Sequence, residues 1–394
     1  MADIRSIADL DAAGKRVIVR VDFNVPLEAG SVSDDTRIRA ALPTIERLVG
    51  QGARVILMSH LGRPKGEGFE EAFSLRPAAQ KLSELLGRSV VFASDTVGPD
   101  ARAKASSLRD GDVLVLENLR FDGREKKNDP AFCKELAHLG DVYVNDAFGA
   151  AHRAHASTAG IARLLPAYAG YLMQREVSTL SEMLQAPRRP FVAILGGSKV
   201  SDKIKVIDAL IDRCDTVVIG GGMCFTFLIA QGYSVGLSLK EDDWVERAAS
   251  LIAKAERQGV ELLLPVDVVA ADRFAEDAET ETTAVESIPD GMMGLDIGPK
   301  TAKLYADAIA GARTVFWNGP MGVFEMAPFE AGTKAVADAV ANNVEADTII
   351  GGGDSVAAVN KFGLGDEMTF ISTGGGASME LVQGEPLPGV EALR

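Results

Sequence analysis

Short apolar runs rich in β-branched residues alternate with amphipathic stretches along the whole chain. In the first part of the sequence these runs predict strands at 16–23, 54–59, 90–93, 112–118 and 141–146. In the second part they predict strands at 190–196, 216–220, 261–269, 292–297, 313–318, 347–350 and 368–372. Stretches of about 10–20 residues with helical periodicity separate most of them. Strands that are apolar along their whole length are typical of parallel sheets covered on both faces, so the pattern predicts an α/β fold.

The chain of 394 residues has the length of two or three domains, and the pattern divides it into two. Apolar residues recur at helical spacing over 171–186, and the sequence Pro-Arg-Arg-Pro that follows ends this helix and begins a new strand. We therefore expect one helix to join a first α/β domain at 1–170 to a second that begins at residue 187.

Charge is distributed unevenly between these two parts. The net charge of −15 disfavours a nucleic acid or an anionic membrane as a partner. All of this charge falls beyond residue 170, because residues 1–170 hold 23 basic and 23 acidic side chains together with all four histidines. The first domain is therefore the better suited of the two to bind an anion.

The remaining composition indicates an ordinary cytoplasmic protein. Cys133, Cys214 and Cys224 lack the spacing of a zinc site, which favours reduced thiols in the cytosol. The N-terminus has no apolar segment typical of a secretory signal. Residues 216–239 carry no charge and have the length of a membrane span, but three consecutive glycines interrupt them. A buried strand, a glycine turn and a core helix explain that segment better.

Glycine-rich turns follow five predicted strands of the second domain. They are Gly196-Gly-Ser-Lys199, Gly220-Gly-Gly222, Asn318-Gly-Pro-Met-Gly322, Gly351-Gly-Gly-Asp354 and Thr373-Gly-Gly-Gly376. Ligands of parallel sheets lie beyond the carboxyl ends of the strands, and glycine lets the backbone approach a phosphate there. Glycine also serves any tight turn, but its recurrence favours phosphate binding. The fingerprints of P-loop enzymes and of dinucleotide dehydrogenases are both absent.

Charged side chains accompany these turns. Lys199 and Lys203 are four residues apart at the predicted first turn of a helix, where cations oppose the helix dipole. They indicate a bound anion, or else solvated surface lysines. Asp354 follows a strand and would either hold Mg²⁺ on a nucleotide phosphate or cap a helix. Glu325 is a candidate acceptor for ribose hydroxyls.

The first domain has cationic and polar side chains near its predicted strand ends. The cations are Arg37, His60, Arg63, Arg120 and Arg153. A single arginine would most simply form a surface ion pair, but five such cations favour a phosphate or carboxylate ligand. Asp22 and Asn24 would bind a substrate hydroxyl, or Asp22 would orient an arginine. No nucleophile elbow or Ser/His/Asp arrangement appears, which fits phosphoryl transfer, where positioning and charge stabilisation do most of the catalysis.

With these turns and charged residues in this order, the chain resembles the phosphoglycerate kinase family. The matching motifs are Arg20-Val-Asp22-Phe-Asn24-Val-Pro26, Asp35-Thr-Arg37-Ile38, Ser59-His60-Leu-Gly62-Arg63-Pro64, Glu117-Asn118-Leu119-Arg120-Phe121, Asn145-Asp146-Ala-Phe-Gly149, Ala151-His-Arg153-Ala-His155, Gly196-Gly-Ser-Lys199-Val-Ser-Asp-Lys203, Gly220-Gly-Gly-Met223, Trp317-Asn318-Gly-Pro320-Met-Gly-Val-Phe-Glu325, Gly351-Gly-Gly-Asp354 and Ser372-Thr-Gly-Gly-Gly376. They occur in family order over residues 20–376. Departures are mild: Ser355 replaces a common threonine, and Cys224 stands where small residues are usual.

The resemblance implies two Rossmann-like domains with parallel sheets facing across a cleft. It assigns 1–170 to the triose phosphate and 187–376 to the nucleotide, with residues 377–394 returning to the first domain. The implied reaction is the reversible transfer of a phosphoryl group from 1,3-bisphosphoglycerate to ADP, giving 3-phosphoglycerate and ATP. Mg²⁺, a cytoplasmic location, a monomeric state and closure of the domains are implied with it.

The resemblance also implies roles for individual residues. Triose binding falls to Asp22, Asn24, Arg37, His60, Arg63, Arg120 and Arg153. Nucleotide binding falls to Lys199, Lys203, Gly220, Gly221, Asn318, Pro320, Glu325, Gly351, Gly352, Gly353, Asp354 and Ser355, with the metal on Asp354. The moving phosphoryl group would be stabilised by Arg37, Lys199 and the amides of Gly352, Gly353, Gly375 and Gly376. A non-catalytic binding protein for a phosphorylated ligand and an unusual dehydrogenase remain as alternatives.

Overall fold

The computed structural model describes residues 4–394 and divides into two compact units. The first unit extends to Thr179 and includes Pro386–Arg394, and the second is Leu180–Glu385. Each contains a six-stranded sheet whose paired strands are all parallel, so the predicted α/β class with two parallel-sheet domains is confirmed. Of the predicted C-terminal segment, only the part from Pro386 onward belongs to the first unit.

The first unit is a sheet of order β5-β6-β4-β1-β7-β8 with helices between its strands. Its strands and hairpin are β1 (Arg16–Arg20), β2 (Leu27–Glu28), β3 (Ser31–Val32), β4 (Arg54–Met58), β5 (Val91–Phe92), β6 (Val113–Val115), β7 (Val142–Asn145) and β8 (Ala167–Ala169). Its helices are α1 (Thr36–Gly50), α2 (Arg76–Leu86), α3 (Pro99–Ser107), α4 (Pro130–Ala137) and the start of α5 (Tyr171–Gln185). Strand β8 was not predicted.

The register of the central strands brings their carboxyl ends together. Arg20 at the end of β1 is opposite Met58 of β4 on one side and Asn145 of β7 on the other. The chain leaves β1 toward α1 at the point where the strand order reverses, which is where open α/β sheets bind ligands. The side chains that follow β1, β4 and β7 therefore lie together at the edge where open α/β sheets bind ligands.

The second unit has a parallel sheet of order β11-β10-β9-β15-β16-β17 and a separate antiparallel sheet of order β13-β12-β14. The strands are β9 (Phe191–Leu195), β10 (Thr216–Ile219), β11 (Glu261–Leu263), β12 (Asp267–Ala271), β13 (Thr280–Ala284), β14 (Met293–Ile297), β15 (Thr314–Asn318), β16 (Asp347–Gly351) and β17 (Phe370–Ile371). The helices are α6 (Ile204–Ile211), α7 (Cys224–Ala230), α8 (Val245–Gln258), α9 (Pro299–Ala310), α10 (Ala331–Asn342), α11 (Gly353–Lys361) and α12 (Gly376–Val382). The last helix, α13 (Pro388–Glu391), belongs to the first unit.

The antiparallel sheet corrects the prediction of a single strand at 261–269. Proline at position 265 lies between β11 and β12, and it provides no N–H for a ladder. Strand β11 stays in the parallel sheet, whereas β12 pairs antiparallel with β13 and β14. Strand β13 was missed because four of its five residues are exposed, so the apolar alternation typical of a strand is absent.

A second correction concerns the helix predicted to open at Lys199. Helix α6 begins only at Ile204, with Lys203 at its N-cap, so residues 196–203 form an extended turn rather than a first helical turn. The apolar residues of this segment still face the core, because Val200, Ile204, Ile207 and Ile211 are buried.

The uncharged segment at 216–239 forms β10, a glycine turn and the short helix α7, as predicted. Among residues 4–394, no helix combines the length and the apolar character needed to cross a membrane. All three cysteines are free and buried.

Candidate functional site

The carboxyl edge of the first unit's sheet brings a carboxylate together with several cations. Asp22, just beyond β1, accepts a hydrogen bond through Oδ2 from Nη1 of Arg37 at the start of α1. Asp22 is 9% exposed, whereas the Arg37 side chain is 36% exposed. His60, beyond β4, lies with Nδ1 4.0 Å from Oδ1 of Asp22. The structure thus pairs Asp22 with Arg37, the contact expected if Asp22 orients that arginine.

A backbone loop after β4 is held between two further predicted residues. Asn24 accepts a hydrogen bond from the Gly62 N–H at 2.8 Å, and Arg120 donates through Nη1 to the Gly62 carbonyl at 2.7 Å. Nε of Arg120 is buried and has no partner among residues 4–394. Arg63 is exposed next to Gly62, and none of the described residues bonds its guanidinium. Nε of Arg120 and the guanidinium group of Arg63 are therefore available to an anion.

Arg153 lies in the segment that follows β7. Its Nε donates to Nε2 of His152 at 2.8 Å, and its side chain is exposed. His155, two residues on, has Nδ1 3.8 Å from Oε1 of the buried Glu125. Burial, followed by the charge of Arg20, lowers the pKa of Arg120, and the nearby charge of Arg153 acts in the same direction. Arg153 therefore belongs to the same positive cluster as Arg120.

The cluster suppresses protonation of its own histidines. Burial, followed by the charges of Arg20 and Arg120, lowers the pKa of His60 well below its ordinary value. Burial and Arg120 lower the pKa of His155 to about 4. Cations that disfavour one another when no ligand is bound are expected to favour an added anion. The positive charge of this cluster therefore comes from its arginines and not from its histidines.

The second unit contains a cavity of about 500 Å³ at the carboxyl edge of its sheet. Apolar side chains form most of its wall, among them Phe225, Leu237, Leu239 and Phe274. Its polar lining includes the predicted residues Glu325 and Asp354, and the predicted Gly221 and Pro320 also contribute to the wall. The cavity therefore presents an apolar recess with two exposed carboxylates at its border.

Three of the glycine turns pack directly against one another. A Cβ on Gly196 would stand 2.0 Å from the Pro320 carbonyl oxygen, and one on Gly319 would stand 2.2 Å from the Gly196 oxygen. A Cβ on Gly221 would approach the Gly197 N atom to 2.5 Å. These glycines are required for backbone packing. Beside them, Gly220 would place a Cβ 2.4 Å from the Met321 sulfur.

The turns after β16 and β17 are more open. Gly352 is the N-cap of α11 with φ of 89°, and Gly375 is the N-cap of α12 with φ of 50°. Nothing lies within 4 Å of a Cβ on Gly353 or Gly375. The first N–H groups of a helix have no partner within the helix. Helices α11 and α12, which start at Gly353 and Gly376, therefore offer free amides to an anion.

Of the two predicted lysines, Lys203 is less exposed than Lys199. Its Nζ donates to the Asn318 carbonyl oxygen at 3.0 Å and also to Oδ1 of that residue. Burial lowers the pKa of Lys203 to about 8, although Asp354 and Asp202 act in the opposite direction. Lys199 is exposed in the same turn. No carboxylate lies within ion-pair distance of Lys203 in the described chain, so a partner of opposite charge is missing.

Asp354 and Ser355 occupy adjacent positions with different surroundings. Asp354 lies in the first turn of α11 and does not cap it, because the N-cap is Gly352. Its carboxylate is exposed at the cavity and accepts no hydrogen bond from residues 4–394. Ser355 is fully buried, and its Oγ accepts the Gly319 N–H at 2.5 Å. Asp354 is therefore not the cap of α11. Ser355 stabilises the turn after β15 through its hydrogen bond with Gly319.

Sequence reasoning assigned no role to several residues at these sites. Arg20 is 1% exposed and contacts His60, and the signal available was a charged residue at the end of an otherwise apolar strand. Glu125 is also 1% exposed, but only contacts with distant residues bury it. The apolar lining at Leu237 and Phe274 comes from loops without a recognisable motif. Within residues 4–394, no group of three or more metal-ligating side chains occurs.

Comparison with known proteins gives one consistent family. A family model described as phosphoglycerate kinase matches residues 7–385. The phosphoglycerate kinase of Moorella thermoacetica is 61% identical over 98% of both chains. That of Parasynechococcus marenigrum is 59% identical over 99% of this chain and 98% of the relative. Among solved structures, phosphoglycerate kinase from Coxiella burnetii gives a TM-score of 0.92 at 43% identity over 99% of both chains. The enzyme from Pyrococcus horikoshii gives 0.85 at 34% identity, covering 99% of this chain and 98% of that one.

Proposed function

The chain belongs to the phosphoglycerate kinase family, and we propose that each of its two units binds one substrate of that family's reaction. The reaction is the reversible transfer of a phosphoryl group from 1,3-bisphosphoglycerate to ADP, which gives 3-phosphoglycerate and ATP in glycolysis. We assign the triose to the first unit and the nucleotide to the second. The observation that carries this division is the environment of Lys203, an ammonium group partly withdrawn from water with no carboxylate in ion-pair distance.

A nucleotide supplies what that environment lacks. Placing a charge away from water is costly unless a group of opposite sign compensates it. Phosphates at the turn would compensate Lys203 and Lys199, and the base would occupy the apolar recess of the 500 Å³ cavity. Glu325 at the border of the recess would accept hydrogen bonds from the ribose hydroxyls. Asn318 would then act through Lys203, whose ammonium group it already holds.

Asp354 fits a magnesium ion that travels with the nucleotide. Mg²⁺ is commonly held by one or two carboxylates, with water and substrate phosphates completing its shell. The Asp354 carboxylate is exposed, accepts no hydrogen bond from the described residues and lies at the cavity. When bound, Mg²⁺ would neutralise phosphate charge. The residue's own part is to orient that complex from the first turn of α11.

We therefore expect Asp354→Ala to weaken Mg²⁺-dependent nucleotide binding by at least about tenfold, the lower end of the loss seen when the surroundings of a bound metal are altered. Because Gly352 and not Asp354 caps α11, the thermal midpoint should stay near that of the parent. Titration calorimetry of ADP with and without Mg²⁺ measures the effect. The control is Asp366→Ala, an exposed carboxylate in the same unit. Equal ADP affinity in parent and variant, with Mg²⁺ present, would remove Asp354 from the metal site.

In the first unit, the cluster of cations would bind the phosphate and carboxylate of the triose. Arg63 and Arg153 offer exposed guanidinium groups, and Arg120 has an unpaired Nε. Planar guanidinium groups bind phosphate and carboxylate oxygens in pairs. Asn24 acts by shaping the loop at Gly62, and Asp22 acts by holding Arg37.

Arg153→Ala is expected to weaken 3-phosphoglycerate binding by about tenfold or more, because a charge-assisted hydrogen bond contributes about 1.5–3 kcal/mol. ADP affinity should remain that of the parent. Arg120→Ala should act in the same direction, with some added loss of stability from its bond to Gly62. Arg102→Ala, an exposed arginine on α3, serves as the control. Calorimetry with each ligand separately gives the answer, and a fall in ADP binding alone would mean that the units have been assigned in the wrong order.

The transfer itself requires little proton chemistry. In the ATP-consuming direction the attacking group of 3-phosphoglycerate is already a carboxylate, so no general base is needed. Stabilisation of the moving phosphoryl group would come from Arg37, from Lys199 and from the free amides at the starts of α11 and α12, at Gly352, Gly353, Gly375 and Gly376. Catalysis of this kind depends on positioning and on charge.

We further propose that closure of the two units accompanies transfer. Reacting atoms must come within about 3–3.5 Å, and a ligand shifts a conformational equilibrium only through differential affinity. The start of α5 is anchored in the first unit, since Thr44 accepts the Tyr171 N–H at 2.9 Å and Asp146 accepts the Leu172 N–H at 2.9 Å. We therefore place the hinge beyond these residues, toward the end of α5 and in the segment after Gly376.

Small-angle scattering should then show a clear fall in the radius of gyration only when 3-phosphoglycerate and the magnesium nucleotide are both present. Each ligand alone should leave it near the ligand-free value, because neither bridges both units. A radius that stays the same in all four states would contradict closure. In line with its net charge of −15 and its family, we also propose that the enzyme works as a cytoplasmic monomer.

A further inference from the structure

Arg20 is a charged residue enclosed at the end of β1, directly behind the proposed triose site. It is 1% exposed. Its Nε donates to Ser157 Oγ at 2.9 Å, and Nη1 donates to the carbonyl oxygen of Val21. The remaining terminal nitrogen, Nη2, lies 3.0 Å from Nδ1 of His60. Because Arg20 is enclosed, its route to the site is the contact with His60.

The contact between Arg20 and His60 admits one arrangement of protons. A guanidinium group has five N–H donors, accepts nothing and stays protonated in proteins. Nδ1 of His60 must therefore be the acceptor and carry no hydrogen. In a neutral imidazole the other ring nitrogen then holds the proton, so Nε2 of His60 is an N–H donor. No residue of the described chain bonds this Nε2, and His60 retains 8% exposure.

A buried carboxylate balances the charge of Arg20 through a bridging hydroxyl. Ser157 Oγ receives the Arg20 hydrogen bond and donates its own proton to Oε1 of Glu125 at 2.6 Å. The Ser157 N–H also donates to Oε2 of Glu125 at 3.0 Å. Both oxygens of Glu125 act as acceptors. Hydrogen bonds therefore connect the Glu125 carboxylate, the Ser157 hydroxyl, the Arg20 guanidinium group and the His60 imidazole in that order. This series of hydrogen bonds holds Arg20 against the histidine.

The charged groups around His60 also oppose its protonation. Arg20, Arg120, Arg37 and His155 all lower its pKa, and burial contributes most. Among residues 4–394, Asp22 is the one carboxylate within ion-pair distance of His60, with Oδ1 4.0 Å from Nδ1, and it is already bonded to Arg37. A proton added at Nδ1 would face the Arg20 donor directly.

We propose that Arg20 is a positioning residue that holds His60 as the neutral tautomer with hydrogen on Nε2. The proposed triose site thereby presents an uncharged N–H donor to a substrate oxygen, beside the acidic acceptor Asp22. This inference rests on the proposed function for the identity of the ligand. The tautomer itself rests only on the contacts of the ligand-free chain.

The decisive measurement is the ¹⁵N NMR spectrum of the histidine rings in the full chain without ligand. We expect an unprotonated Nδ1 and a protonated Nε2 for His60, unchanged between about pH 5 and pH 8, the range in which histidines ordinarily titrate. His60→Gln assigns the signals. His138 is the internal reference of opposite type, because its Nδ1 lies 2.6 Å from the Lys134 carbonyl oxygen and must carry the hydrogen. A protonated Nδ1 on His60, at any pH in this range, overturns the proposal.

Variants at Arg20 separate positioning from mere structure. Arg20→Met removes the donor, so the His60 signals should show mixed tautomers and 3-phosphoglycerate affinity should fall by about tenfold, the value of one net hydrogen bond at the upper end. Arg20→Lys keeps a donor and should restore the parent tautomer. ADP affinity should not change in either. A variant Arg20→Met that keeps the parent His60 spectrum overturns the proposal, and the parent spectrum alone decides the tautomer if that variant fails to fold.

Titration with ligand distinguishes the proposed role of Arg20 from the proposed placement of the triose in the first unit. Addition of 3-phosphoglycerate to the parent should shift the Nε2 signal of His60, and ADP should not. If the tautomer is as proposed but 3-phosphoglycerate leaves the signal unmoved, the placement of the triose fails while the role of Arg20 stands.

Discussion

Arg37→Ala should lower kcat by about 10²–10³, the loss typical of removing one preorganised donor that stabilises transition-state charge. Arg37 is the second residue of α1, and its side chain keeps about a third of its surface exposed while Asp22 holds it from one side. A cation at a helix N-terminus is unfavourable without an anion. The Asp22 carboxylate supplies a negative charge on one side of Arg37, and the exposed part of the guanidinium group is left for a phosphoryl group in transfer. Affinity for ADP should remain that of the parent.

The same helix provides the matched control. Arg39 is two residues further along α1, is exposed, and forms an ion pair with Asp35 at 2.7 Å. Arg39→Ala should change kcat less than about twofold, because exposed ion pairs contribute about 0–1 kcal/mol. Steady-state kinetics in both directions, with circular dichroism to check folding, gives the comparison. A folded Arg37→Ala enzyme with the parent's kcat would show that Arg37 does not act in the transition state.

Gly319→Ala should lose stability, whereas Gly353→Ala should keep its stability and lose activity. Gly319 has φ of +99°, and its Cβ would stand 2.2 Å from the Gly196 oxygen. Backbone strain and overpacking together should destabilise the chain by about 2–6 kcal/mol. Gly353 has nothing within 4 Å of a Cβ and is the first residue of α11. Its substitution should leave stability unchanged or slightly raised, since alanine is the better helix former.

Activity should nevertheless fall in Gly353→Ala, by at least about tenfold, because the methyl group would occupy the approach of the phosphoryl group to the amides of α11. Urea unfolding and steady-state kinetics separate the two effects. Gly50→Ala, at the end of α1 with open space around it, is the neutral substitution for comparison. A fully active Gly353→Ala enzyme would remove this amide from the catalytic group, and a Gly319→Ala chain as stable as the parent would contradict the packing of the turns.

Local pattern was sufficient for most strands of the two parallel sheets and for the edge at which their carboxyl ends align. Apolar runs such as 54–59 and 313–318 became strands almost unchanged, at Arg54–Met58 and Thr314–Asn318. The reason is that a strand covered on both faces must be apolar throughout, which neighbouring residues alone reveal. Motifs that follow these strands could be placed at one edge because parallel strands align their carboxyl ends. The neutral first part and the acidic second part also indicated which of the two is the better suited to bind an anion.

Elements whose stability comes from distant partners were not predicted. Strand β13 is mostly exposed and exists because β12 pairs with it across the whole of its length. Helix α6 begins five residues after Lys199 because the turn before it packs against other glycine turns. In both cases the deciding contacts are non-local, and neither periodicity nor propensity reports them.

The chemistry of single residues shows the same division. The sequence by itself determined the fold class, the reaction family and the set of residues at the strand ends, because those depend on residue type and local spacing. Only the tertiary structure decided which glycines serve packing, that Asp354 is not a helix cap, and that Arg20 controls the proton of His60. These outcomes depend on distances between atoms far apart in the chain, such as the 3.0 Å from Arg20 to His60, and a hydrogen bond or a steric clash is settled within a few tenths of an ångström.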